Sequence, residues 1–173
     1  MNIIMKISVI SLSILVLSLL NPAVAQTKLM RINSESAMPA KKSAFGWTSN
    51  VKMTSATEGE IIIKVSIADG WHLYGTNLPK GGPKPTAFDF SGSRGIKLTG
   101  VIKASASPTE KFDSMFNLKL SYWTGTVTFR QKFKVTNAAN ASVAGTVTYM
   151  GCNDNTCSPP AKYTFSKAVK KIN

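Results

Sequence analysis

Histidine, acidic residues and cysteine are all scarce in this chain. Of 173 residues, one is histidine, eight are acidic and two are cysteine. That scarcity removes most catalytic repertoires at once. His72, Cys152 and Cys157 together fall short of the four ligands a structural zinc site takes. No glycine-rich phosphate loop and no GxSxG elbow occurs, so nucleotide chemistry and the common serine hydrolases have no motif here. A nucleophilic pair of a cysteine with His72 lacks an orienting third residue from any known signature. Long helical periods are missing too, and the longest apolar run, 7–20, is shorter than the roughly 20 residues that span a bilayer.

That run follows a short basic start, Met1 to Lys6, and leads to Ala23-Val24-Ala25. The pattern is that of a secretory signal peptide over 1–25, cut after Ala25. The expected product is exported, soluble, and without stable membrane insertion once the signal is removed. Export places the two cysteines in an oxidising compartment, which permits a disulfide without requiring one. The remainder of the chain suits one domain, large enough to bury a core without a staple. Residues 26–43 are polar and aperiodic and read as a linker or arm, leaving 44–173 as the domain.

The net charge is +13. Its lysines alternate along expected strands (Lys64, Lys97, Lys103, Lys132, Lys134) and do not cluster with aromatics, which describes a solvated basic face and excludes nucleic acid as the expected partner.

What the chain does have is period two. Ile61, Ile63, Val65 and Ile67 share one face of a strand; Val127, Phe129, Gln131, Phe133 and Val135 share another; Val143, Val147 and Tyr149 a third. Turn signals such as Asp69-Gly70, Gly81-Gly82-Pro83 and Thr124-Gly125 separate the runs. Seven or eight such strands predict an all-β fold, an immunoglobulin-like antiparallel β-sandwich. Trp123 and Tyr149 are expected in its core. Two stretches read as loops, 77–85 and 105–117. The second carries Phe112, Met115 and Phe116 in polar surroundings, as a loop does when it covers something.

Both cysteines fall in "YMGCNDNTCSPP", residues 149–160. A turn through the four residues between them could set Cys152 against Cys157 at disulfide distance, about 4.4–6.8 Å between Cα atoms. Closing so short a ring restrains the unfolded chain by only about 2 kcal/mol. Pro159 and Pro160 lack N–H donors, so pairing fails just past Cys157. On spacing alone, a structural disulfide and a redox pair stay equally open.

Three segments, "DGWHLYG" (69–75), "EKFDSMFN" (110–117) and "VTYMGCNDNTCSPP" (147–160), resemble in order the N-terminal periplasmic domain of the thiol:disulfide interchange protein DsbD. The resemblance spans about 44–168, and its last block is the specific one. It implies a cysteine pair that passes electrons between thioredoxin-like redox proteins or domains and periplasmic thiol proteins. Cys157 would attack the partner and Cys152 would resolve the mixed disulfide. Phe112, Met115 and Phe116 would form a shielding cap, with His72 and Tyr74 beside the site; His72 is a candidate for tuning a thiol pKa. Four residues separate the cysteines here, against five in the relative compared. No membrane region or thioredoxin-like domain follows within the chain, so electrons are expected from separate proteins. Neither metal nor organic cofactor is expected. The rival readings are a binding module with a structural disulfide and a Cu(I) handler using Met115, Met150, Cys152, Cys157 and His72.

Overall fold

The computed structural model describes residues 43–170. The expected signal peptide, 1–25, and the arm as far as residue 42 lie outside the described residues. Among the described residues eleven strands follow in order: β1 (Phe45–Met53), β2 (Glu58–Ile67), β3 (His72–Tyr74), β4 (Ala87–Asp89), β5 (Ile96–Ala104), β6 (Thr109–Asp113), β7 (Leu118–Trp123), β8 (Thr126–Val135), β9 (Ser142–Tyr149), β10 (Gly151–Cys152) and β11 (Ala161–Ala168). They form three sheets, ordered β1-β2-β8-β5, β10-β3-β7-β6 and β11-β9-β4, with every pairing antiparallel. The fold is all-β, and its antiparallel sheets resemble an immunoglobulin-like sandwich.

The alternation read from sequence is the alternation of burial. Ile61, Ile63, Val65 and Ile67 of β2 and Val127, Phe129 and Phe133 of β8 are buried, and they meet Val143, Val147 and Tyr149 of β9 in one core. Aromatic contacts bridge the layers: Phe88 to Phe129 at 4.8 Å and Trp47 to Tyr149 at 5.0 Å between ring centroids. Full burial of a side chain of this size contributes about 1.5–3 kcal/mol. Trp123 is also in this core. Gln131 is the polar exception on the inner face of β8; its amide donates to the carbonyls of Thr99 and Lys132, each at 3.0 Å, where β5 kinks at Gly100. Lys64, Lys97, Lys103, Lys132 and Lys134 are all exposed.

The strand count exceeds the expected seven or eight for two reasons. β3, β4 and β10 are only two or three residues long, too short to show a period. β6 occupies part of 105–117, which sequence presents as a loop. Its first four residues are exposed, so hydrophobic alternation cannot announce it; the ladder to β7 makes it a strand.

Two bends place the site. After β2 the chain turns at Ala68–Trp71, where Gly70 takes φ +75° and the Trp71 amide donates to the Ala68 carbonyl at 3.0 Å. After β9 it bends at Met150, whose carbonyl accepts the Tyr74 amide at 3.1 Å. β3 and β10 therefore run side by side, with Gly151 opposite Leu73 and Cys152 opposite His72. Leu73 enters the main core, while His72 and Tyr74 take the other face together with Cys152.

Candidate functional site

Cys152 and Cys157 are joined by a disulfide. They are opposed residues of a short antiparallel hairpin. Its ladder bonds run from the Asn153 amide to the Thr156 carbonyl (2.9 Å) and from the Ser158 amide to the Gly151 carbonyl (2.8 Å), on either side of the cysteine pair. Such a position is the close, non-hydrogen-bonded kind, with side chains on one face. The Cα atoms lie 3.9 Å apart, nearer than the expected window, because the pairing itself brings the strands together there. The turn is built by Asn153, whose Oδ1 accepts the amides of Asn155 at 2.9 Å and Thr156 at 2.8 Å. That is an Asx arrangement, in which a side-chain carbonyl stands in for a backbone one. Past Ser158, the exposed Pro159 and Pro160 offer no donors, and pairing resumes with Ala161 opposite Tyr149.

The two sulfurs are unequal. Cys152 is 1% exposed and packs with Tyr74 and Leu120; Cys157 is only half-buried, at the edge of that cluster. The Tyr74 hydroxyl lies 3.1 Å from Cys152 Sγ and 2.8 Å from Asp113 Oδ2, so one proton has two acceptors within reach. Burial, and then the Asp113 carboxylate, hold the Tyr74 pKa far above its ordinary value. Tyr74 is therefore a proton donor throughout the neutral range.

Asp113 also builds the tip of the β6–β7 hairpin. Its Oδ1 accepts the amides of Met115 (2.9 Å) and Phe116 (3.2 Å), and Asn117 closes the turn at φ +54°. The tip folds over the sulfurs. Met115 Sδ sits 3.1 Å from Cys157 Sγ, and Phe116 meets Tyr74 edge-on at 5.9 Å. Phe112 does not join them. It lies opposite Lys119 on the reverse face of the hairpin, is 60% exposed, and edges the hollow beside Cys152 without packing into the cluster. Alternation puts Asp113, its neighbour, over the site instead.

His72 packs between Tyr74 (5.0 Å) and Tyr122 (4.7 Å), and its Nε2 is buried with no hydrogen-bond partner. Burial lowers its pKa below 6.5, opposed in part by Asp113 and Asp154. The denatured chain thus takes up a proton near pH 6.5 that the folded chain refuses until lower pH. Stability contributed by neutral His72 is complete above that pH and declines as pH falls through the lowered folded-state value. Urea midpoints at pH 7.5, 6.0 and 5.0 are expected to fall with pH in the wild type and to flatten in His72→Phe. Parallel curves would remove His72 as the titrating group.

Asp113 and Tyr122 are the site residues that sequence reasoning passed over. Asp113 had a signal, an Asp opening the polar turn F-D-S-M; Tyr122 had one in its alternation with Leu118 and Leu120.

A β-sandwich that carries a cystine at a strand end, one sulfur buried and one shielded by a hairpin tip, defines a thiol-disulfide class of domain. The chain belongs to the family of N-terminal domains of the thiol:disulfide interchange protein DsbD, whose profile matches residues 39–168. Among solved structures it is similar to the N-terminal periplasmic domain of ScsB from Proteus mirabilis, at 16% identity and a TM-score of 0.54, covering 71% of this chain. It spans 45% of that ScsB chain. The reduced DsbD N-terminal domain of Neisseria meningitidis matches at 16% identity and a TM-score of 0.47, over 71% of this chain and 85% of that one. No curated protein sequence matches the chain. Family membership and the cysteine pair give it, in general terms, a thiol-disulfide redox role.

Proposed function

We propose that the chain is a periplasmic electron relay, a thiol-disulfide exchange domain of the protein-disulfide reductase type. It passes reducing equivalents between thioredoxin-like partners and periplasmic thiol proteins through Cys152 and Cys157. Its domain is 44–173, in a mature chain that starts at Gln26 after loss of 1–25. The unequal exposure of the two sulfurs carries this reading, because exchange needs one thiol that a partner can reach and one held back from it.

In the reducing direction the Cys157 thiolate attacks one sulfur of the partner's disulfide. The S–S bond breaks and the partner's second sulfur leaves as a thiolate. Cys152 then loses its proton and attacks Cys157 Sγ, the mixed disulfide breaks, and the partner departs with both sulfurs reduced. The intramolecular disulfide remains on this chain, two electrons poorer. Tyr74, held protonated, stabilises negative charge on Cys152 by hydrogen bonding during that second step. Met115 and Phe116 act as the shield and Asp113 as its anchor. A groove of about 510 Å³ runs beside Cys157 between Phe45, Trp71, Tyr149 and Pro159, room for a partner to approach.

Equilibration of the purified protein in graded glutathione buffers, with free thiols trapped and counted by mass, tests the reading. A reduction potential between about −180 and −270 mV, the range of known exchange proteins, is expected. A pair still oxidised below about −300 mV would make the disulfide structural and favour a binding module.

A further inference from the structure

The shield over Cys157 ends in an oxidisable atom. Met115 is 52% exposed, whereas Met53 and Met150, the other methionines among the described residues, are half-buried. Its Sδ nevertheless rests 3.1 Å from Cys157 Sγ. Cys157 has no thiol proton in the disulfide, so this is a contact between two soft sulfurs and not a hydrogen bond. The backbone of the tip is tied down by Asp113, and Phe116 is wedged against Tyr74. The Met115 side chain is held to the sulfurs by apolar contact.

We propose that Met115 Sδ is a modification site for two-electron oxidants of the peroxide or hypohalous acid class, and that the sulfoxide releases the shield and speeds exchange at Cys157. The rate half of this rests on the relay reading above. With hydrogen peroxide the thioether sulfur donates a lone pair to one peroxide oxygen. An S–O bond forms, the O–O bond breaks, sulfur is oxidised by two electrons, and water leaves. The product carries a polar S–O bond whose oxygen accepts hydrogen bonds. Against a cystine that oxygen finds no donor, and the hydroxyl of Tyr74 already faces Asp113 and Cys152. An unsatisfied polar group leaves such a place for water when it can, and the exposure of Met115 lets it do so. Oxidant would thereby turn a capped disulfide into an open one without touching either cysteine.

The test uses the purified protein in its disulfide form. Graded hydrogen peroxide followed by peptide mass mapping should add about 16 Da to Met115 before Met53 or Met150. The rate of disulfide reduction by dithiothreitol should then rise on the order of tenfold, the equivalent of losing roughly 1.4 kcal/mol of shielding contact. Met115→Gln, polar and of similar length, should show the fast rate without peroxide; Met115→Leu should stay slow before and after it. Oxidation of Met150 ahead of Met115, or a Met115 sulfoxide reduced at the unmodified rate, overturns the proposal. A disulfide that resists dithiothreitol in every variant, while Met115 still gains oxygen, overturns the relay reading and the rate half with it.

Discussion

Cys157→Ser is expected to lower the rate of thiol-disulfide exchange with a thioredoxin-like partner by more than about 1,000-fold, whereas Cys152→Ser should stop the reaction halfway. A serine hydroxyl is not ionised at neutral pH and cannot replace a thiolate as nucleophile or as a disulfide partner. With Cys157 gone, the remaining thiol at 152 is buried at 1% exposure behind Tyr74, Leu120 and the hairpin tip, so a partner's sulfur meets it far less readily. With Cys152 gone, the reachable sulfur is intact and the sulfur proposed to resolve the mixed disulfide is missing, so a mixed disulfide through Cys157 should accumulate. Non-reducing electrophoresis after mixing with an oxidised partner reads both outcomes. Equal activity of the two variants would show that the difference in burial does not assign the roles. Either variant loses the ring closure, worth only about 2 kcal/mol for so short a loop, so both should fold. Serine at 152 also keeps an acceptor for the Tyr74 hydroxyl.

Gly151→Ala should destabilise the protein by about 2–3 kcal/mol and disturb the disulfide at the same time. Gly151 lies in β10 between core and site, opposite Leu73. A Cβ there would overlap the Phe45 ring and the His72 carbonyl. The ring belongs to the packed core, and the carbonyl is backbone of the strand that carries His72 and Tyr74, so neither gives way cheaply. Displacement of β10 would move Cys152 away from Cys157 and from Tyr74. The expected result is a lower urea midpoint together with slower closure of the disulfide from the dithiol. Gly46→Ala on β1 is the control, since its Cβ would meet only Ser66 atoms at 3.8 and 3.9 Å. That control should change stability by no more than about 0.5 kcal/mol. A Gly151→Ala protein as stable as the control would mean that Phe45 repacks without cost.

The large strands could be read from sequence because each buries one face. In β2 and β8 the apolar residues recur every second position, and burial in the folded chain follows the same rhythm. β6 could not be read that way, since Thr109, Glu110, Lys111 and Phe112 are all exposed and only hydrogen bonds to β7 define it. By composition Phe112, an aromatic in a polar stretch, belongs with the shield. A strand reverses facing at each residue, and that alone sends Phe112 outward and Asp113 inward.

Residue order alone establishes that the chain is built of alternating strands, that its two cysteines can meet across a turn of four residues, and which family its three motifs resemble. These are local properties, carried by period, spacing and residue type. It takes the packed sheets to make Cys152 the buried sulfur and Cys157 the reachable one, to let Asp113 tie the hairpin tip to Tyr74 and so to Cys152, and to rest Met115 on Cys157. Those facts join β3, β6–β7 and β10, which are far apart along the chain, and they depend on the bends at Gly70 and Met150 that set these strands edge to edge. Residue types and spacings do not encode such a juxtaposition locally; it exists once the sheets have packed.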